Sequence, residues 1–212
     1  DEFRRRVCYR EDVTDMLAGP RAASVLRELY AVASAGAVGK SKAGSSVGGV
    51  GVGMTKAQGE LLNLVEFKAL LRALGLIDAD LSEPEATLCF AWSRMVVIDD
   101  STPQGHLREN HLNFEGFMEA LCRVAVLKAL PTDAEITASG CGDAGEFLEE
   151  LRERDVRSYN EMVRERKVGW SEPPPQPEER CCCHMIALVL HRVEARAGGT
   201  NTEYIRRWLS KK

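Results

Sequence analysis

Apolar residues recur along this chain at the three- and four-residue spacing of helices that bury one face. Leu26, Leu29, Tyr30 and Ala33 form the first clear stripe, after Gly19-Pro20, where proline suits a first helical turn. Upstream, residues 1–18 are charged and predict an N-terminal extension with a short helix around 13–17. A second stripe starts at Asn63, which has Glu66 three residues on as a capping partner, and runs through Leu70, Leu71 and Leu74 to Gly75. Ser82-Glu83-Pro84-Glu85 marks a third start, joining a serine cap, an early proline and an acidic third position. The predicted buried stripe of that helix is Leu88, Ala91, Trp92, Met95 and Val96. A polar loop is expected over 99–110, after which Asn113 caps a helix through Phe117, Leu121 and Val124 towards Leu130-Pro131.

The pattern changes beyond Pro131. Gly140-Cys141-Gly142 interrupts, and a charged amphipathic helix is predicted over 144–167, with Phe147, Leu148, Leu151, Tyr159, Met162 and Val163 on its apolar face and Asp155 breaking the stripe. Pro173, Pro174, Pro175 and Pro177 predict a stiff linker over 171–178. Residues 181–190 are almost wholly apolar, yet far short of the ~20 residues that a bilayer span needs. They read as a buried or docking helix, and Tyr204, Ile205, Trp208 and Leu209 predict a short last one. Residues 35–53 collapse to Gly, Ala, Ser and Val and read as a flexible insertion.

Two of the helix starts repeat each other. Leu62-Asn63-Leu64-Val65-Glu66-Phe67 is echoed by Leu112-Asn113-Phe114-Glu115-Gly116-Phe117, fifty residues on (112 − 62). Each copy is preceded by a further helical segment, so the plan is helix–loop–helix twice, as in an EF-hand pair. This predicts an all-α protein: an EF-hand-like pair over 19–130 carrying the insert, then a helical extension over 131–212. A calcium loop needs oxygens at positions 1, 3, 5, 7, 9 and 12. Taking Glu66 as position 12 puts Thr55, Ala57 and Gly59 at 1, 3 and 5; in the second copy position 12 is Gly116 and position 1 is Gly105, followed by His106, Leu107 and Arg108. Both loops lack the acidic set, so no metal and no cofactor is expected. Loop position 8 is Leu62 in one copy and Leu112 in the other, the predicted antiparallel link between the lobes. Phe67, Leu71, Leu88, Trp92, Met95, Phe117 and Leu121 are the candidate lining of an apolar groove for an amphipathic helix, either a partner's or the chain's own segment near 181–193 folded back.

Composition narrows the function classes. With 28 basic and 32 acidic residues the net charge is −4, against general nucleic-acid binding. Seven cysteines, an odd and irregular set, suit a reducing compartment, cytosolic or ciliary. The chain opens Asp1-Glu2-Phe3 without Met, which reads as a processed or excerpted part of a longer protein, and the Arg4-Arg5-Arg6 cluster has no apolar run behind it to make a signal peptide. Ser34 to Ser41 imitates a phosphate loop but has Ser34 where glycine is required and follows a helix instead of a strand. In Cys181-Cys182-Cys183-His184 the three consecutive thiols cannot converge on one ion from a helix, where adjacent side chains diverge by about 100°, which leaves only His184 with a partner from elsewhere as a ligand. His106, His111, His184 and His191 carry no nucleophile motif, so no catalytic residue is assigned and no enzyme is expected.

Residues 88–95 with Leu112-Asn113-Phe114-Glu115-Gly116-Phe117-Met118 and on through Ala125 resemble degenerate EF-hand regions of ciliary and flagellar axoneme-associated proteins. The resemblance covers about residues 20–130. It implies a structural or docking protein in a multi-subunit axonemal complex near microtubules, binding a partner helix without calcium, a membrane or nucleic acid. The alternatives are a calcium sensor using Glu66, or a regulatory domain of a larger enzyme.

Overall fold

Local capping signals set where the helices begin. The computed structural model describes residues 2–36, 61–95, 101–170, 172–199 and 201–211. The fold is all-α. A π-helical turn, Arg4–Cys8, precedes α1 (Glu11–Ala18), α2 (Pro20–Ser34), α3 (Leu64–Ala73), α4 (Glu83–Trp92), α5 (Pro103–Glu109) and α6 (Phe114–Leu127). Then come α7 (Asp133–Ser139), α8 (Ala144–Arg154), α9 (Val156–Arg166), α10 (Glu178–Ala197) and α11 (Thr202–Leu209). Asn63 and Glu66 form a reciprocal capping box at α3, as do Ser82 and Glu85 at α4. Asn113 caps α6 by accepting from the Gly116 amide at 2.8 Å.

Several expected boundaries shift. The loop foreseen over 99–110 contains α5, started by Thr102, whose hydroxyl accepts from the Gly105 amide at 3.0 Å, with Pro103 in the first turn. The single helix foreseen over 144–167 is two, because the Asp155 side chain leaves the ladder and caps α9 through the Arg157 and Ser158 amides. Helix α7 was not foreseen, although Thr132 and Glu135 form a full capping box before it. The insertion foreseen over 35–53 lies outside the described residues from 37 onward, as do Val96 and the loop positions Thr55, Ala57 and Gly59.

One hydrophobic cluster runs from Val7 to Leu209; Leu88, Ala91, Trp92 and Met95, foreseen as the buried stripe of α4, lie outside it, as does Tyr204. Its axis is α10, which packs most extensively on α8 and α6 and also touches α1, α2 and α11. Met185, Leu188, Val189 and Val193 of α10 are fully buried. Residues 1–18, foreseen as an extension, contribute the fully buried Val7 and Val13 to the same cluster.

Three buried polar clasps hold the helices in register. Arg192 of α10 donates to the Leu74 and Gly75 carbonyls at 3.1 and 2.8 Å and to Glu149 at 3.1 Å. A cation there meets the partial negative charge at the end of α3. Lys128, just past α6, donates to Asp80 at 2.5 Å and to the Leu76 carbonyl at 3.1 Å, while the second Asp80 oxygen accepts from the Ala129 amide at 3.0 Å. Burial pushes the Lys128 ammonium below its ordinary range, against the opposing pull of Asp80. Glu119 and Arg123 pair on α6 at 2.7 Å, and Arg4 reaches Glu119 at 2.6 Å.

Candidate functional site

Leu62 and Leu112 stand side by side as an isolated antiparallel bridge, exchanging amide-to-carbonyl bonds of 2.9 and 2.8 Å. The bridge ties the entry of α3 to the entry of α6. Both leucines are fully buried, and the Tyr30 hydroxyl of α2 donates to the Leu112 carbonyl at 2.9 Å. A bridge of one residue pair is enough to fix the two helix starts relative to each other, because the Asn63 and Asn113 caps follow it directly.

The described side chains beside this bridge are engaged locally. The Glu66 carboxylate accepts from the Asn63 amide at 3.0 Å, closing its own capping box. Gly105, His106, Leu107 and Arg108 lie on α5, whose helical backbone turns its side chains outward instead of wrapping them around a centre. Gly116 has a steric reason: a Cβ there would sit 2.8 Å from the Ser93 carbonyl oxygen and 3.3 Å from Leu112. A glutamate cannot occupy that position without moving backbone. Among the described residues no group of His, Cys, Asp and Glu side chains could hold a metal ion.

The seven candidate groove residues separate into three groups. Phe67, Leu71, Phe117 and Leu121 lie in the core, with at most 1% exposure. Phe67 packs on Phe90 and Phe117 on Tyr30, with ring centroids 5.7 and 5.6 Å apart. No partner reaches these four in this arrangement, since the chain's own helices already cover them. Leu88 and Trp92 face solvent at 41% and 60% exposure, one turn apart on α4. Ala86, Cys89 and Phe90 form that helix's buried face instead. Its apolar residues surround it on all sides, so spacing alone could not choose the face. Met95 is half-buried and lines a groove of ≈ 680 Å³ with Leu17, Ala18, Phe114 and Met118.

Trp92 opens onto a second, larger groove of ≈ 1010 Å³. There α4 and the end of α6, through Val126 and Leu127, meet Trp170 and the prolines before α10. Trp170 is 43% exposed. Sequence reading missed this residue, because it sits in the proline-rich stretch read only as a spacer. A tryptophan beside such a run was the available signal.

The cysteines and histidines do not assemble into a reactive centre among the described residues. Cys8 is held above the ordinary thiol range by Cys122 beside it, and Cys122 in turn by Cys182, so π-turn, α6 and α10 meet through sulfur. Cys181 and Cys182 are buried and Cys183 is half-buried, with burial pushing Cys181 up to about 12. Thiols held protonated are poor nucleophiles. His184 is 5% exposed, and its Nε2, 3.4 Å from Asp133 and without a hydrogen-bond partner, is pushed down by burial.

No protein-family model, curated protein or solved structure matches this chain.

Proposed function

We propose that the chain is a non-catalytic docking protein, an EF-hand-like pair that works without calcium and holds its place in a ciliary or flagellar axonemal complex by binding a helix of a neighbouring subunit. The observation that carries the reading is the surface of α4. Leu88 and Trp92, at i and i+4, form an apolar stripe that faces solvent on a helix otherwise anchored in the core. A stripe at that spacing is what an amphipathic partner helix reads. The Leu62–Leu112 bridge supports the EF-hand-like part, since it joins the two repeated segments at their matching positions. The axonemal part rests on the sequence resemblance alone. With α10 covering α6, the apolar face that an open EF-hand pair would offer is occupied from within, which favours a constitutive clasp over a switch.

The test is retention. The chain carrying both Leu88→Ser and Trp92→Ser should keep its helical circular dichroism, because both side chains are exposed, and should wash out of detergent-extracted axonemes that retain the unaltered chain. Equal retention of the two would place docking elsewhere, and absence of the unaltered chain from axonemes would remove the assignment to cilia. Saturable heat on calorimetric titration with calcium would refute the calcium-independent reading.

A further inference from the structure

We propose that the groove joining Trp92 to Trp170 receives a basic segment of the protein partner, whose arginine or lysine side chains lie against the two indoles. This inference rests on the docking reading above and adds the chemistry of what docks. The first support is the placement of the tryptophans. Trp92 and Trp170 are exposed within one groove, whereas the third tryptophan, Trp208, is 7% exposed. An indole face attracts a guanidinium or ammonium more strongly than any other side-chain ring. This chain already uses such contacts internally, with Arg123 over Phe3 at 4.3 Å and Arg27 over Phe114 at 4.6 Å. Among the described residues no cation of the chain stacks on Trp92 or Trp170.

The second support is charge. The groove carries Glu172, Glu178 and Glu179 against Arg6 and Arg123. Both cations are engaged within the chain: Arg6 donates to Glu178 at 2.8 Å, and the buried Arg123 to Glu119 at 2.7 Å, while Glu179 lies 3.4 Å from Arg10. Glu178 and Glu179 therefore already have partners, and Glu172 is the groove's carboxylate open to an incoming cation. Glu172 is exposed and accepts a backbone amide from Gly169 at 3.0 Å, and among the described residues no cation pairs with it. An acidic segment would meet repulsion here, and a wholly apolar one would bury the Glu172 carboxylate without a counter-charge. Prolines 173, 174, 175 and 177 limit the backbone freedom of one side, so little order has to be imposed on binding.

The experiment is calorimetric titration of the full chain with a short peptide of alternating arginine and serine, beside matched glutamate–serine and alanine–serine peptides. The arginine peptide should bind saturably and more weakly at higher salt. Trp170→Ala and Glu172→Gln should each weaken it about tenfold, with helical content unchanged. Equal binding of the glutamate or alanine peptide, or indifference to both substitutions, would overturn the proposal. So would a Trp92-dependent dimer in sedimentation, which would make a second copy the occupant. Failure of the arginine peptide to bind, while axonemal retention still depends on Leu88 and Trp92, would sink the basic-segment chemistry and leave the docking reading standing.

Discussion

Replacing Asp80 by alanine tests the clasp that joins the α3–α4 turn to the end of α6. The Asp80 and Lys128 side chains are 2% and 4% exposed, so neither charge has water to fall back on. Alanine removes the 2.5 Å ion pair, strands the Lys128 ammonium with only the Leu76 carbonyl, and orphans the Ala129 amide. Breaking a buried pair from one side costs about 3–5 kcal/mol. Against a typical folding stability of about 5–15 kcal/mol, that is a large fraction. For a chain of this size it corresponds to a fall in Tm of roughly 6–20 °C. The assay is a double-mutant cycle in urea, followed by circular dichroism, with Asp80→Ala, Lys128→Met and the two combined. The combined variant should be far less damaged than the sum of the singles, because it leaves no uncompensated charge. Single variants costing under about 1 kcal/mol each, with an additive double, would refute the claim that the pair is buried and coupled.

Three further outcomes are expected. Gly145→Ala should destabilise by about 1–3 kcal/mol in urea titration, since the new Cβ would lie 2.3 Å from the His191 Cβ where α8 crosses α10; no loss would mean that the helices are less close. Gly116→Glu, which restores the missing acidic position, should yield no calcium heat in calorimetry and a lower urea midpoint, because its Cβ meets the Ser93 carbonyl at 2.8 Å. His184 is held below its ordinary value of 6.5 by burial, so the unfolded chain binds the proton more readily; its contribution to stability is complete above pH 6.5 and is lost as the pH falls through the lower folded value. The urea midpoint should therefore drop on mild acidification, and His184→Leu should flatten that drop.

What the sequence revealed was mostly local. The Asn63, Ser82 and Asn113 caps could be read because a cap and its target lie within one turn. The same signals stood before α5 and α7, at Thr102 and Thr132, and went unread because the short segments behind them lack an apolar stripe. Asp155 was recognised as an interruption but not as a cap. The orientation of α4 could not be derived, because choosing between Phe90 and Trp92 as the buried ring depends on Phe67, which only the folded chain supplies. The groove shared by Trp92 and Trp170 depends on the α9–α10 connection returning to the end of α4, and no periodicity encodes that. The Leu62–Leu112 juxtaposition was legible because the repeat itself carries it.

The placement of α10 bears on how the molecule is made. Helix α1, near the start of this sequence, meets part of its final surroundings only when α10 arrives. At about 5–20 residues per second, the ribosome needs on the order of 10–40 s to travel from there to Leu209. Throughout that interval the nascent helices present greasy surfaces awaiting a late-synthesised strut, so chaperone demand should be highest just before α10 emerges.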